Sequence, residues 1–140
     1  MQLKFNLNYK IEKKKTLSNA EKVLFFAMLK MQELAVRYVP VDTSRLINSI
    51  KIFPTSIGFK EYLLYTDVEY AEGVEYGTEP HVVKVEDLEG WSGRVLGDKG
   101  QAGAVADKIA KKGTNEQPYF RPALKQVKDI WVARLWEKYL

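Results

Sequence analysis

Leu3, Phe5, Leu7 and Tyr9 alternate with Gln2, Lys4, Asn6 and Asn8, and this period of two predicts a strand with one buried face. From Ser18 the period lengthens. Ala20, Val23, Leu24, Ala27, Met28, Met31, Leu34, Ala35 and Tyr38 recur at spacings of three and four, which predicts a long helix. Ser18 is its expected cap, with Glu21 completing a capping box. The Lys13-Lys14-Lys15 run reads as an exposed connection between strand and helix. Phe25, Phe26, Leu29 and Val36 form a second stripe round the side. A helix lying on one sheet needs about one apolar face, so the second predicts burial on two sides, with a neighbouring copy as the expected cover.

Pro40 predicts the end of that helix, because proline disfavours helical geometry in the residue before it. Asp42-Thr43-Ser44 are expected to cap a short helical turn through Asn48. Ser49–Phe53 and Tyr62–Thr66 read as strands of a hairpin or meander, with Pro54 and Gly58 in the link. Tyr70–Tyr76 reads as a helix stopped by Gly77. Residues 80–103 are the hardest to place: Val85, Leu88, Glu89 and Trp91 allow a short helix, whereas Gly90, Gly93, Gly97, Gly100 and Gly103 predict a flexible segment around 90–103. Ala104–Lys112 reads as a helix closed by Gly113, and Pro122 as the opening of one that continues to the end. Its stripe is Leu124, Val127, Trp131 and Leu135, with Val132, Trp136 and Tyr139 offset.

The expected class is therefore α+β, an antiparallel sheet with a long helix in the amino-terminal half and a C-terminal helix packed on one face. The 140 residues suffice for a single domain with a real core. No apolar run approaches the roughly 18 residues of a spanning helix, and residues 1–9 lack the apolar core of a signal peptide. Neither membrane insertion nor export by the usual route is expected. The net charge of +4 hides a division. Residues 1–30 carry +5, residues 31–80 carry −4 and residues 81–140 carry +3, a pattern suited to contacts between subunits or to nucleic acid.

The search for chemistry yields little. With no Cys and one His, His81, zinc sites of nitrogen and sulfur are excluded, and His81 has no nucleophile elbow to serve. Glu69, Glu72, Glu75 and Glu79 would share one helix side, as a metal site or an acid–base pair requires. The preferred reading is a solvated face or an acidic patch opposite a basic neighbour. The glycines of 90–103 lack the spacing and the Lys-Ser/Thr of a phosphate loop. Lys10, Lys13, Lys14 and Lys15, and again Lys108, Lys111 and Lys112, could touch phosphates, but no DNA-reading element accompanies them. No catalytic, cofactor or metal residues are expected, and the chain is read as a protein that is not an enzyme.

Three segments carry more. They are Val39-Pro-Val-Asp-Thr-Ser-Arg-Leu-Ile-Asn-Ser-Ile50, then Val68-Glu-Tyr-Ala-Glu-Gly-Val-Glu-Tyr-Gly-Thr78, and then Lys112-Gly-Thr-Asn-Glu-Gln-Pro-Tyr-Phe-Arg-Pro-Ala-Leu124. In this order and spacing the chain resembles the small neck or minor tail component of lambda-like long-tailed phages, the gene-product-ten or tail-completion type. That family's pattern is roughly P-V-D-T-G-x-L-x-x-S-I, Y-A-x-x-V-E-x-G-T and Q-P-F-x-R-P-A-L. The resemblance covers roughly residues 18–140. It departs at Ser44, where glycine is usual, at Tyr119-Phe120, and at Gly73, where a bulkier residue is common.

The resemblance implies a virion protein made in the host cytoplasm, a head–tail connector or tail-completion subunit. It would form a homo-oligomeric ring, a hexamer favoured, around the DNA channel at the head-proximal end of the tail. Its motif residues would be Pro40, Asp42, Thr43, Leu46, Ser49, Ile50, Tyr70, Ala71, Glu75, Gly77, Thr78, Pro118, Phe120, Arg121, Pro122 and Leu124. Ring closure needs two unlike surfaces. Candidate interface residues are Phe25, Phe26, Leu29, Val36, Glu69, Glu72, Trp136 and Tyr139, with the basic amino-terminal part of one copy facing the acidic 69–79 segment of the next. Neighbouring neck proteins, the tail tube or a tail terminator would be further partners, with only nonspecific proximity to the axial DNA. The alternatives are a tail terminator or head-side stopper, or a nonspecific DNA-binding accessory protein.

Overall fold

The computed structural model describes residues 1–6, 14–42, 44–55 and 61–139, and the side chains of these except 5, 6 and 14–18. Three antiparallel strands, β1 (Gln2–Asn6), β2 (Lys51–Pro54) and β3 (Glu61–Tyr65), form a sheet in the order β1-β3-β2. The register places Leu3 and Ile52 on either side of Leu64. Because side chains alternate between the faces of a strand, this row points to one side, where Leu64 is fully buried. On the other side Phe53 lies 61% exposed. Leu7 and Tyr9, expected to continue the first strand, fall outside the described residues, as does Gly58 of the expected link.

Helix α1 (Lys14–Tyr38) covers the buried face of the sheet. Ala20, Val23, Leu24, Ala27, Met28, Met31, Leu34 and Ala35 are all buried, as the periodicity requires. Two expectations fail here. The helix already includes Lys14, so Ser18 and Glu21 lie inside it rather than at its amino end, and Lys14 and Lys15 are helical rather than a connection; lysine is a good helix former. Tyr38, counted on the buried stripe, is exposed and donates its hydroxyl to Gln126 Oε1 at 2.6 Å.

The turn after Pro40 is also not the expected cap. Helix α2 (Arg45–Ser49) is preceded by Ser44 in left-handed geometry (φ 61°) with no side-chain cap, and Asp42 turns instead to Arg94. Thr43 lies outside the described residues. Ser49 closes α2 rather than opening a strand: its hydroxyl bonds to Leu46 O (2.7 Å) and Thr66 Oγ1 (2.5 Å). Thr66 lies just past β3, buried, and its hydroxyl accepts the Val68 N–H.

Helix α3 (Ala71–Tyr76) ends at Gly77. Residues 90–103 depart most from expectation: the second half of α4 (Val85–Val95) and a 3-10 turn (Lys99–Gln101) occupy the stretch read as flexible, while α5 (Ala102–Lys112) contains the expected helix Ala104–Lys112. The glycines of this stretch sit in helices and in one tight turn, where Asp98 accepts from Gly100 N and Ser92 Oγ donates to Asp98 O, each at 2.8 Å.

The last helix starts two residues before Pro122, as α6 (Phe120–Gln126), and continues through a π turn (Val127–Trp131) into α7 (Val132–Tyr139). The wide turn inserts an extra residue and rotates the following stripe. Val132, read as offset, therefore joins Leu124, Trp131 and Leu135 against the core. The architecture is α+β with the long and C-terminal helices gathered on one sheet face. No helix among the described residues is long and apolar enough to cross a membrane.

Candidate functional site

The second and third motif segments meet at one buried carboxylate. Glu75, on α3, is fully buried. Its Oε2 accepts the backbone N–H of Tyr119 (2.7 Å) and Phe120 (2.9 Å), and its Oε1 accepts those of Arg121 N and Arg121 Nε, both at 2.9 Å. A helix leaves its first four N–H groups without intrahelical partners. For α6 these belong to Tyr119, Phe120, Arg121 and position 122. Glu75 takes the first three, and Pro122 has no N–H to satisfy. The negative carboxylate also sits at the positive end of the helix dipole.

Around this cap the chain is fastened at several further points. Arg121 Nη2 donates to Glu75 O (2.7 Å) and Glu116 Oε2 (2.8 Å), with its guanidinium over the Tyr76 ring. Gln117 N donates to Val74 O at 2.8 Å, and Thr78 and Thr114 exchange both backbone hydrogen bonds at 3.1 and 3.2 Å. Tyr119, buried beside Phe120, donates its hydroxyl to Ala71 O. Burial and then the Glu75 carboxylate push that phenol well above its usual pKa. Gly113 has φ 70°, and a Cβ on it would lie only 1.8 Å from Thr78 O. Glycine is required there on both counts.

The expected solvated face of Glu69, Glu72, Glu75 and Glu79 is thus corrected. Glu75 is the most buried acid of the group, Glu69 is held by Arg45 through two hydrogen bonds (3.0 and 2.8 Å), and Glu79 lies beyond the helix. Glu72 stays exposed. Sequence reasoning picked out Glu75 and Arg121 separately but not their pairing. The signal was their opposite charge in two motifs of fixed spacing. His81 is exposed and staples its own turn, with Nδ1 donating to Glu79 O at 2.8 Å. Among the described residues, no group of three or more His, Asp or Glu could hold a metal.

Of the first segment, Leu46 and Ile50 are buried in the core and Ala71 joins them from the second, while Pro40 and Tyr70 line a groove of about 1130 Å³. The far wall is formed by α4 and α5, with Leu88, Trp91 and Val105. Across it Arg94 grips Asp42 through Nε–Oδ1 (2.6 Å) and Nη2–Oδ2 (2.8 Å), which holds the Asp42 carboxyl below its usual pKa. Neither Arg94 nor the groove was visible in the sequence pattern. Pro118 is exposed, and Phe120 and Leu124 pack into or against the core.

The expected interface stripe is partly consumed within the chain. Val36 packs on the core, and Phe26 stacks on Tyr139 with centroids 5.2 Å apart. Phe25, Phe26, Leu29 and Trp136 are 40%, 36%, 37% and 36% exposed, and Phe25 also packs against Phe26 and Tyr62. No family model, no curated protein and no solved structure matches the chain.

Proposed function

We propose that this chain is a structural subunit of a tailed virus, a head–tail connector or tail-completion protein that assembles into a ring around the DNA channel. One observation carries the reading. The segments that resemble the family's pattern interlock into a single framework, in which Glu75 caps α6, Thr78 pairs with Thr114 and Arg45 holds Glu69. Residues so fully used in holding elements together fit a protein whose motifs specify a shape to be assembled. The left-handed backbone at Ser44 adds support, since the family pattern has glycine there and glycine favours that geometry.

In this reading the motifs build the subunit and its outer surface builds the ring. Phe25, Leu29 and Trp136 supply exposed apolar area for a neighbouring copy, and a hexamer matches a sixfold tail. The subunit would sit between neighbouring neck proteins and the tail tube or terminator, and would perform no catalysis. The test is deletion of the gene in a phage that carries it, followed by electron microscopy of lysates. Filled heads and tails accumulating apart, or tails of wrong length, are expected; normal virions would overturn the proposal.

A further inference from the structure

Residues 79–113 leave the body of the molecule at Thr78 and return at Thr114, where the two backbones pair. The helices in between pack on each other. Their buried residues, Ser92, Ala102, Ala106 and Ile109, all lie outside the main cluster under the sheet. Between this unit and the body lies the groove, with Tyr70 and Val74 on the body side and Leu88, Trp91 and Val105 opposite. Above the base, Arg94 and Asp42 join the two walls.

We propose that residues 79–113 are a hinged arm, pivoting at the Thr78–Thr114 bridge and held closed over the groove by the Asp42–Arg94 ion pair. The base cannot slide, because Gly113 already lies against the Thr78 carbonyl. Rotation falls instead on Gly113 and on residues 79–84, which carry no helix or strand. The latch is suited to release. Its side chains are 50% and 30% exposed, and exposed pairs of good geometry shift a two-state equilibrium only roughly two- to five-fold. An arm whose helices pack on each other, outside the main cluster, can therefore move as a unit, widening a groove whose apolar walls would otherwise face each other. This inference does not depend on the virion reading.

The chain has no cysteine, so Lys51→Cys on β2 and Asp107→Cys on α5, both exposed, can carry a pair of spin labels. Pulsed electron paramagnetic resonance then reads the distance between arm and body. In dilute buffer one narrow distance is expected. Arg94→Gln should add a longer, broader population at least two-fold above the parent's, and Asp42→Asn should do the same. Salt at 1 M, where screening acts within about 3 Å, should move the parent toward the same distribution. Far-ultraviolet circular dichroism should be unchanged throughout. Identical narrow distances in all three proteins at both salt levels would overturn the hinge. Loss of the folded spectrum in Arg94→Gln would overturn the latch, showing the pair to be part of the fold.

Discussion

Glu75 illustrates what a single side chain does in this chain. A carboxylate in the interior costs several kcal/mol in lost hydration, and here that cost is offset by three backbone N–H donors, a guanidinium and a helix dipole. Glu75→Ala should therefore lower unfolding free energy by about 3–5 kcal/mol in urea denaturation, as breaking one side of a buried charged network does. Glu75→Gln keeps an acceptor and should cost less. An alanine variant within about 1 kcal/mol of the parent would show that the cap contributes little. Ser44 offers the opposite case. A left-handed non-glycine residue costs roughly 1–2 kcal/mol, while glycine's extra chain entropy costs roughly 0.5–1 kcal/mol. Ser44→Gly should then stabilise by up to about 1 kcal/mol, seen as a higher urea midpoint at unchanged slope.

At the scale of elements, the close approach of Gly113 to Thr78 decides whether α5 can end where it does. Gly113→Ala would need both a positive φ and a carbonyl displaced, so a loss of roughly 3 kcal/mol or more is expected. Gly103→Ala, inside α5 with open space around it, should be neutral or stabilising by up to about 1 kcal/mol. Thermal melts of the two side by side separate position from composition. The same contrast explains what the sequence made legible. The stripe of α1 was readable because its residues from Ala20 to Ala35 answer to one local period, and the alternation of β1 likewise. The later part of α4 and the turn after it were not, although α5 was, because their glycines weaken the local signal while their actual roles, in a helix and beside Asp98, depend on geometry. Glu75 was misread for a related reason. Periodicity placed it with exposed acids, and its partner lies 44–46 residues onward in the chain.

At the scale of the whole molecule, the question is what apolar and charged surface remains once the fold has used its share. The fold takes Val36 and pairs Phe26 with Tyr139, and it removes Glu75 from the acidic segment while tying Glu69 to Arg45. Under the proposed ring, Phe25 and Leu29 are candidate contacts between copies, with Glu72 as an exposed charge. Leu29→Asp tests this directly. The residue is 37% exposed, so its replacement should cost the isolated subunit about 1 kcal/mol or less. In a ring the same change would bury an unpaired carboxylate at every junction, a cost of several kcal/mol each time. Supplied in trans to a phage lacking the gene, Leu29→Asp should fail to restore infectious particles while its melting temperature stays within a few degrees of the parent's. Glu72→Lys should restore them only partly, since a rim charge shifts association more than it shifts the final complex. Full restoration by Leu29→Asp would remove the α1 surface from the ring contact and leave other exposed apolar side chains, such as Phe53 on the open sheet face, as candidates.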